Sequence, residues 1–175
     1  MRHFAPFGRV NMDRIEHPIP PLYNKDSKIL ILGSFPSVKS REGQFFYHHP
    51  QNRFWKVISS IYDIPMPTTI EEKRNMLHLC QIAVWDVIQS CEIVGSSDSS
   101  IKNVVPNDLS VVLNSADITQ IFSNGNASYE LYMKYIYPTT GLKAIKLPST
   151  SPANATSRLE QLIEKWSIIK DYTNK

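Results

Sequence analysis

Four short apolar runs, separated by stretches of helical period, constrain this chain more than any other feature. They are Lys28-Ile29-Leu30-Ile31-Leu32-Gly33, Ile82-Ala83-Val84-Trp85-Asp86-Val87-Ile88, Ile118-Thr119-Gln120-Ile121-Phe122 and Leu142-Lys143-Ala144-Ile145-Lys146-Leu147. Apolar runs of this length, bounded by turn residues, are the signature of strands buried on both faces. The last run alternates polar and apolar residues and is expected nearer a sheet edge. Helical spacing fills the gaps: Phe54, Trp55, Val57, Ile58 and Ile61 after Pro50; Met76 and Leu79 after a Thr69–Glu72 capping-box pair; Leu109, Val112 and Leu113; Tyr129 to Ile136, stopping at Pro138; and Leu159, Leu162, Ile163, Trp166 and Ile169. Strands alternating with helices require right-handed crossovers and leave a parallel sheet between two helical layers. The expected fold is α/β, a three-layer α/β/α domain with a central, mainly parallel four-stranded sheet. A length of 175 residues suits one domain over residues 1–175. Residues 1–25, with Pro18, Pro20 and Pro21 near their end, are expected to be irregular.

Several function classes fall away on composition. No apolar run approaches a membrane span, and the first ten residues lack the apolar stretch of a signal peptide. Only Cys80 and Cys91 occur, without a CxxC pair, so neither a disulfide framework nor a structural zinc site is expected and a reduced cytoplasmic setting is the simpler reading. His48 and His49 are adjacent and do not face one way on a regular element, which argues against metal ligation by both. The net charge of +3 is compatible with nucleic acid without requiring it.

In open parallel sheets, ligands bind beyond the carboxyl ends of the strands. The loop Gly33-Ser34-Phe35-Pro36-Ser37 combines a glycine that permits close approach with hydroxyls suited to phosphate, or is simply a connecting turn. If Pro50 opens a helix, Asn52 lies in its first turn, where it presents an amide or merely caps; Phe54 and Trp55 are core. Asp86 interrupts an apolar strand, which is unfavourable unless its carboxylate is hydrogen-bonded, either structurally or to a ligand donor. The loop Pro148-Ser149-Thr150-Ser151-Pro152-Ala153-Asn154 offers three hydroxyls and an amide for phosphodiester contacts or for capping the last helix.

Together these segments resemble the uracil-DNA glycosylase superfamily. Leu32-Gly33-Ser34-Phe35-Pro36-Ser37 resembles its first motif, and His49-Pro50-Gln51-Asn52-Arg53-Phe54-Trp55 is very similar to the HPxNxFW run of the mismatch-specific uracil/thymine branch. Leu147-Pro148-Ser149-Thr150-Ser151-Pro152 resembles the second motif as used in the hypoxanthine-DNA (deoxyinosine) glycosylase branch, as do Ala83 to Val87 and Gly95 to Ile101. The likeness runs from about Pro18 to Trp166. Three positions depart from other branches: Phe35 stands where an acid or asparagine handles water, Ser149 where a histidine opens the second motif, and Ala153 where a leucine wedges the helix.

The resemblance implies a DNA repair enzyme that hydrolyses the N-glycosidic bond of a deaminated base, hypoxanthine first, flipped from DNA. It implies a monofunctional enzyme, without metal or cofactor, acting on DNA as a monomer in the cytoplasm, and at the nucleoid in a prokaryote. Asn52 takes the water-handling role. Tyr47 stacks on the base with Phe35 or Phe46, Asp86 accepts its ring N–H, and Asn124 or Asn126 meets its carbonyl. Ser34, Ser37, Lys39, His49, Ser149, Ser151 and Asn154 are the expected DNA contacts, Lys39 being also a conceivable lyase amine. The alternatives are a mismatch-type uracil-DNA glycosylase and, from a different class, a non-catalytic nucleic-acid-binding relative.

Overall fold

The computed structural model describes residues 13–173. In chain order the elements are β1 (Arg14–Glu16), β2 (Ile29–Gly33), α1 (Val38–Gly43), α2 (Phe54–Ile61), α3 (Ile70–Leu79), β3 (Ile82–Asp86), β4 (Ile88–Glu92), β5 (Lys102–Pro106), α4 (Ser110–Leu113), β6 (Gln120–Asn124), α5 (Asn126–Tyr135), α6 (Tyr137–Thr140), β7 (Ala144–Leu147), α7 (Leu159–Trp166) and α8 (Lys170–Thr173). Strands β3-β2-β6-β7 form a four-stranded parallel sheet in that order, with β7 at an edge, as its alternating pattern predicts.

Alternation along the strands builds two cores. Ile29 and Ile31, Ile82 and Val84, and Phe122 face Phe54, Trp55, Ile58, Leu77, Leu162 and Trp166 of α2, α3 and α7. Leu30 and Leu32, Ala83 and Ile121 face the opposite layer, with Leu109, Val112 of α4 and Tyr132 of α5. Full burial of each such aliphatic side chain contributes about 1.5–3 kcal/mol, so the strands are fixed in register from both sides. The three-layer α/β/α arrangement is the one expected from sequence.

A second sheet is not. Strands β1-β4-β5 pair antiparallel beside the main sheet. The run Ile82 to Ile88, expected as one strand, is split: Val87 N–H donates to Gly33 O and Ile88 N–H to Ser34 O, which turns the chain out of β3 and into β4. Residues 1–12 lie outside the described residues, but Arg14–Glu16 of the supposedly irregular segment pairs with β4 through Ser90, Cys91 and Glu92. Cys80 and Cys91 are both buried free thiols, and burial pushes Cys80 up to about 11.

Helix α2 begins at Phe54, not at Pro50. Asn52 therefore stands just ahead of the helix, its Oδ1 accepting from Phe54 N–H at 2.9 Å, instead of lying in the first turn. The capping box at Thr69 and Glu72 is present at the start of α3. Parallel register aligns Gly33 with Asp86, and Asn124 with Leu147. The loops that leave all four strands consequently open on one edge of the sheet.

Candidate active site

A cleft of about 130 Å³ lies at that edge, lined in part by Gly33, Ser34, Phe35, Ser37, Phe46, Tyr47, Asn52, Asp86, Asp98, Asn124, Ser149 and Ser151. Ten of the expected site residues are thus brought together: Ser34, Phe35, Ser37, Phe46, Tyr47, Asn52, Asp86, Asn124, Ser149 and Ser151.

Asn52 is oriented by a network from two loops. Its Oδ1 accepts from Phe54 N–H and from Thr150 Oγ1, each at 2.9 Å. The backbone donor fixes which end of the amide is oxygen, so the NH2 group is the end left over. Among the described residues it has no protein acceptor. Thr150 is fully buried and is itself gripped by Asn124, whose Nδ2 donates to Thr150 Oγ1 at 3.0 Å and whose Oδ1 accepts from Thr150 N–H at 3.0 Å. Asn124 lines the cleft and buttresses Asn52 through Thr150, which bonds its oxygen and one of its two N–H groups; the second N–H is what it keeps for the base carbonyl it was expected to meet. Asn126 lies outside the cleft on the exposed start of α5, its Oδ1 accepting from Lys146 Nζ at 3.3 Å.

Arg53 holds the second-motif loop in place. Its guanidinium donates to the carbonyl oxygens of Ser157, Ser151 (3.0 Å) and Asn154 (2.9 Å), and its backbone N–H donates to Thr150 O at 3.1 Å. Trp166 Nε1 adds a donor to Pro148 O at 2.9 Å. Asn154 neither lines the cleft nor caps the last helix; its Nδ2 closes the loop on Ser149 O at 2.9 Å. Gly125, at φ +94°, brings the start of α5 so close that a Cβ there would stand 3.0 Å from Ser149 Cβ. Ser37 caps α1 by accepting from Ser40 N–H at 3.1 Å. His49 accepts from Gln51 N–H at 3.1 Å outside the cleft, and exposed Lys39 sits 3.8 Å from Glu42.

Asp86 occupies the floor, its side chain 6% exposed. Its Oδ2 lies 2.6 Å from His17 Nε2, a partner that sequence reading missed. Asn107 Nδ2 donates to the Asp86 carbonyl at 2.9 Å. Phe35 and Phe46 are buried walls, the Arg41 guanidinium lying 5.6 Å from the Phe35 ring centre. The Tyr47 ring stacks on Phe54 with centres 4.1 Å apart. Its hydroxyl is buried without a hydrogen-bond partner among the described residues, and burial first, then the Asp86 charge, push the phenol far above its ordinary value. Asn124 eases that shift: one N–H of its Nδ2 goes to Thr150 Oγ1, and the second is near the phenol without closing a hydrogen bond to it.

A second carboxylate missed from sequence is Asp98, in the loop between β4 and β5. Its Oδ1 accepts from Ser34 Oγ at 2.7 Å, while Ser96 Oγ accepts from Val38 N–H at 2.9 Å, so this loop flanks the cleft. Although the residue as a whole is exposed, desolvation of the carboxyl raises it above the usual aspartate range; the Ser34 bond opposes the shift and the Asp86 charge adds to it. A raised carboxyl favours folding in acid, and that contribution is lost as pH rises through the raised value. Asp98→Asn keeps the Ser34 contact and removes the charge. It is expected to raise the melting temperature near neutral pH by a small amount, on the order of 1 °C for so exposed a group, with the difference gone below the ordinary aspartate range; thermal melts across pH check this.

The comparisons agree with this architecture. The family model for the uracil DNA glycosylase superfamily matches residues 20–172. A protein of Methanosarcina barkeri named hypoxanthine DNA glycosylase is 31% identical over 140 residues, covering 79% of this chain and 87% of the relative. Its namesake from Methanosarcina acetivorans is 31% identical over 144 residues, covering 80% and 89%. A solution NMR structure of a Methanosarcina acetivorans protein, provisionally named a uracil DNA glycosylase, superposes with a TM-score of 0.77 at 27% identity, covering 91% of this chain and 99% of that one. Among the described residues no helix is long and apolar enough to cross a membrane. The chain belongs to the uracil DNA glycosylase superfamily.

Proposed function

We propose that the chain is a DNA glycosylase that hydrolyses the N-glycosidic bond of a deaminated base, hypoxanthine first, rotated from DNA into the cleft. The observation that carries this reading is the Asn52 amide on the cleft wall: its oxygen is tied to Phe54 N–H and Thr150 Oγ1, and its NH2 group is left without a protein acceptor among the described residues. The similarity to two proteins named hypoxanthine DNA glycosylase supports the choice of base.

In this mechanism the C1′–N bond breaks with its electron pair leaving on the base, and the sugar gains oxocarbenium character. Asn52 holds a water by its oxygen beneath C1′, and that oxygen forms the new bond. The attacking water gives up one proton and the base anion takes up one, directly or through solvent, leaving free base and an abasic sugar whose new hydroxyl keeps the other water proton. Positioning supplies most of the acceleration, since a cation of this kind needs an aligned water more than a strong base. Phe35, Phe46 and Tyr47 wall the base, and Asp86 accepts its ring N–H. Ser34, Ser37, Ser149 and Ser151 meet phosphates, with Lys39, His49 and Asn154 as flanking contacts. The exposed position of Lys39 beside Glu42 supports hydrolysis over an amine-dependent lyase step.

The test is a panel of duplexes carrying hypoxanthine, uracil, xanthine or adenine, each treated with alkali to cut abasic products. Hypoxanthine is expected to go fastest. Uracil opposite guanine going fastest would assign the chain to the mismatch type instead, and binding without strand scission would leave only a nucleic-acid-binding relative. On the same panel Asp86→Asn is expected to slow hypoxanthine release about 10- to 100-fold and narrow the margin over adenine, because an amide can turn its NH2 toward the base. An unchanged profile would make Asp86 structural.

A further inference from the structure

His17, Asp86 and Tyr47 meet over Gly33 in an arrangement that no sequence motif records. A Cβ on Gly33 would stand 2.3 Å from Asp86 Oδ1 and 3.5 Å from the Tyr47 hydroxyl, so both polar atoms come together at the glycine on the cleft wall, the carboxylate taking the room a side chain there would need. The two differ in kind. The Tyr47 hydroxyl is a donor, buried without a partner among the described residues. Tyr47 is also held at φ +50°, a left-handed conformation unfavourable for a bulky residue, with its carbonyl pinned by Trp55 Nε1 at 3.1 Å. Asp86 Oδ1 is an acceptor, and its character is set by His17.

The His17 ring is fixed at both nitrogens. Nδ1 accepts from Ile19 N–H at 3.1 Å, so the proton resides on Nε2, which donates to Asp86 Oδ2 at 2.6 Å. A proton on Nδ1 would face the Ile19 N–H, and the neutral tautomer is therefore the one the backbone selects. The side chain is 2% exposed, and the chain is anchored there by His17 N–H donating to Gln89 O. One carboxylate oxygen is thereby engaged, and the other, without a hydrogen-bond donor among the described residues, lies over Gly33.

Resting on the proposed base-release activity, we propose that Asp86 Oδ1 and the Tyr47 hydroxyl together read the lactam edge of the flipped base, a ring N–H beside a carbonyl, and that His17 is the positioning residue that presents Asp86 as a pure acceptor. The carboxylate accepts the ring N–H and the phenol donates to the carbonyl. Hypoxanthine, xanthine and uracil carry this edge. Adenine carries its reverse, a ring nitrogen lone pair beside an amino group, so the pair would set lone pair against carboxylate and N–H against O–H. Unmatched buried groups of this sort are what allow a polar site to reject an analogue strongly. Guanine shares the edge and must be told apart at C2.

Single-turnover excision from duplexes carrying deoxyinosine, 1-methyldeoxyinosine or deoxyadenosine tests this. Tyr47→Phe keeps the ring and is expected to lose roughly 10- to 100-fold on deoxyinosine. His17→Ala is expected to lose a similar factor, and His17→Gln, whose amide N–H can reach Asp86, to recover most of it. On 1-methyldeoxyinosine, which has no N–H to offer, the wild type is expected to be slow and His17→Ala to cause no further loss. A merely structural role for His17 would slow both substrates alike. Full rate in Tyr47→Phe, or equal losses on the two inosines in His17→Ala, overturns the inference while leaving base release standing. A wild type inert on every duplex overturns both. Should His17→Ala fail to fold, Tyr47→Phe decides.

Discussion

Asn52→Ala is expected to slow base release by about 10²–10³, the range for losing one preorganised donor at a reacting centre. It also removes the acceptor for Phe54 N–H and Thr150 Oγ1, and so costs about 1–2 kcal/mol of stability. Thr150 keeps its two bonds to Asn124, which limits the damage to the loop. Asn52→Asp separates the two effects. Its carboxylate oxygen can accept from the same two donors, so the melting temperature should stay near that of the wild type, while the missing NH2 group should leave release nearly as slow as in Asn52→Ala. Single-turnover rates and thermal melts on the pair check this. An Asn52→Asp protein with wild-type activity would remove the amide from the mechanism.

The second large effect is expected at Gly33. A Cβ there would stand 2.3 Å from Asp86 Oδ1, and Asp86 has little freedom to yield because His17 holds its other oxygen at 2.6 Å in a buried site. Gly33→Ala must displace the carboxylate that is proposed to meet the base edge. Overpacking of this kind costs about 1–3 kcal/mol. The loss of activity should be larger, about 10²-fold or more, because misplacement of about 1 Å at a reacting site is enough for that. Single-turnover excision beside a melting curve measures both. A Gly33→Ala protein as active as the wild type would show that nothing docks against Asp86.

The main sheet was legible because its strands are continuous apolar runs and its helices carry clean helical spacing. The second sheet was not, for local reasons. β1 is only three residues long, β5 has no buried residue and ends in Pro106, and β4 continues the apolar run of β3, so that only the backbone turn at Val87 separates them. The site divides in the same way. Gly33, Asn52 and Asp86 stand at or just beyond strand ends or in a recognisable motif, where position alone marks them. His17 and Asp98 are delivered by the second sheet and its loop, and no spacing in the sequence ties them to the cleft. Amide direction is likewise invisible in a sequence: Asn124 was expected to face a base, and a buried Thr150 that needs partners for its hydroxyl and N–H takes its oxygen and one N–H, leaving one N–H for that role. Asn126, two residues on, begins a helix and points away with Lys146. Arg53 reads as one letter of a motif, but its three carbonyl contacts are what shape the loop that orients Asn52.

The most direct measurement is chromatography of the small-molecule fraction after the unaltered protein has met a duplex carrying one deoxyinosine. Free hypoxanthine should appear in step with alkali-labile sites in the strand. A duplex that is bound and recovered whole, with no purine released, would contradict a hydrolytic role for the amide at the mouth of the sheet.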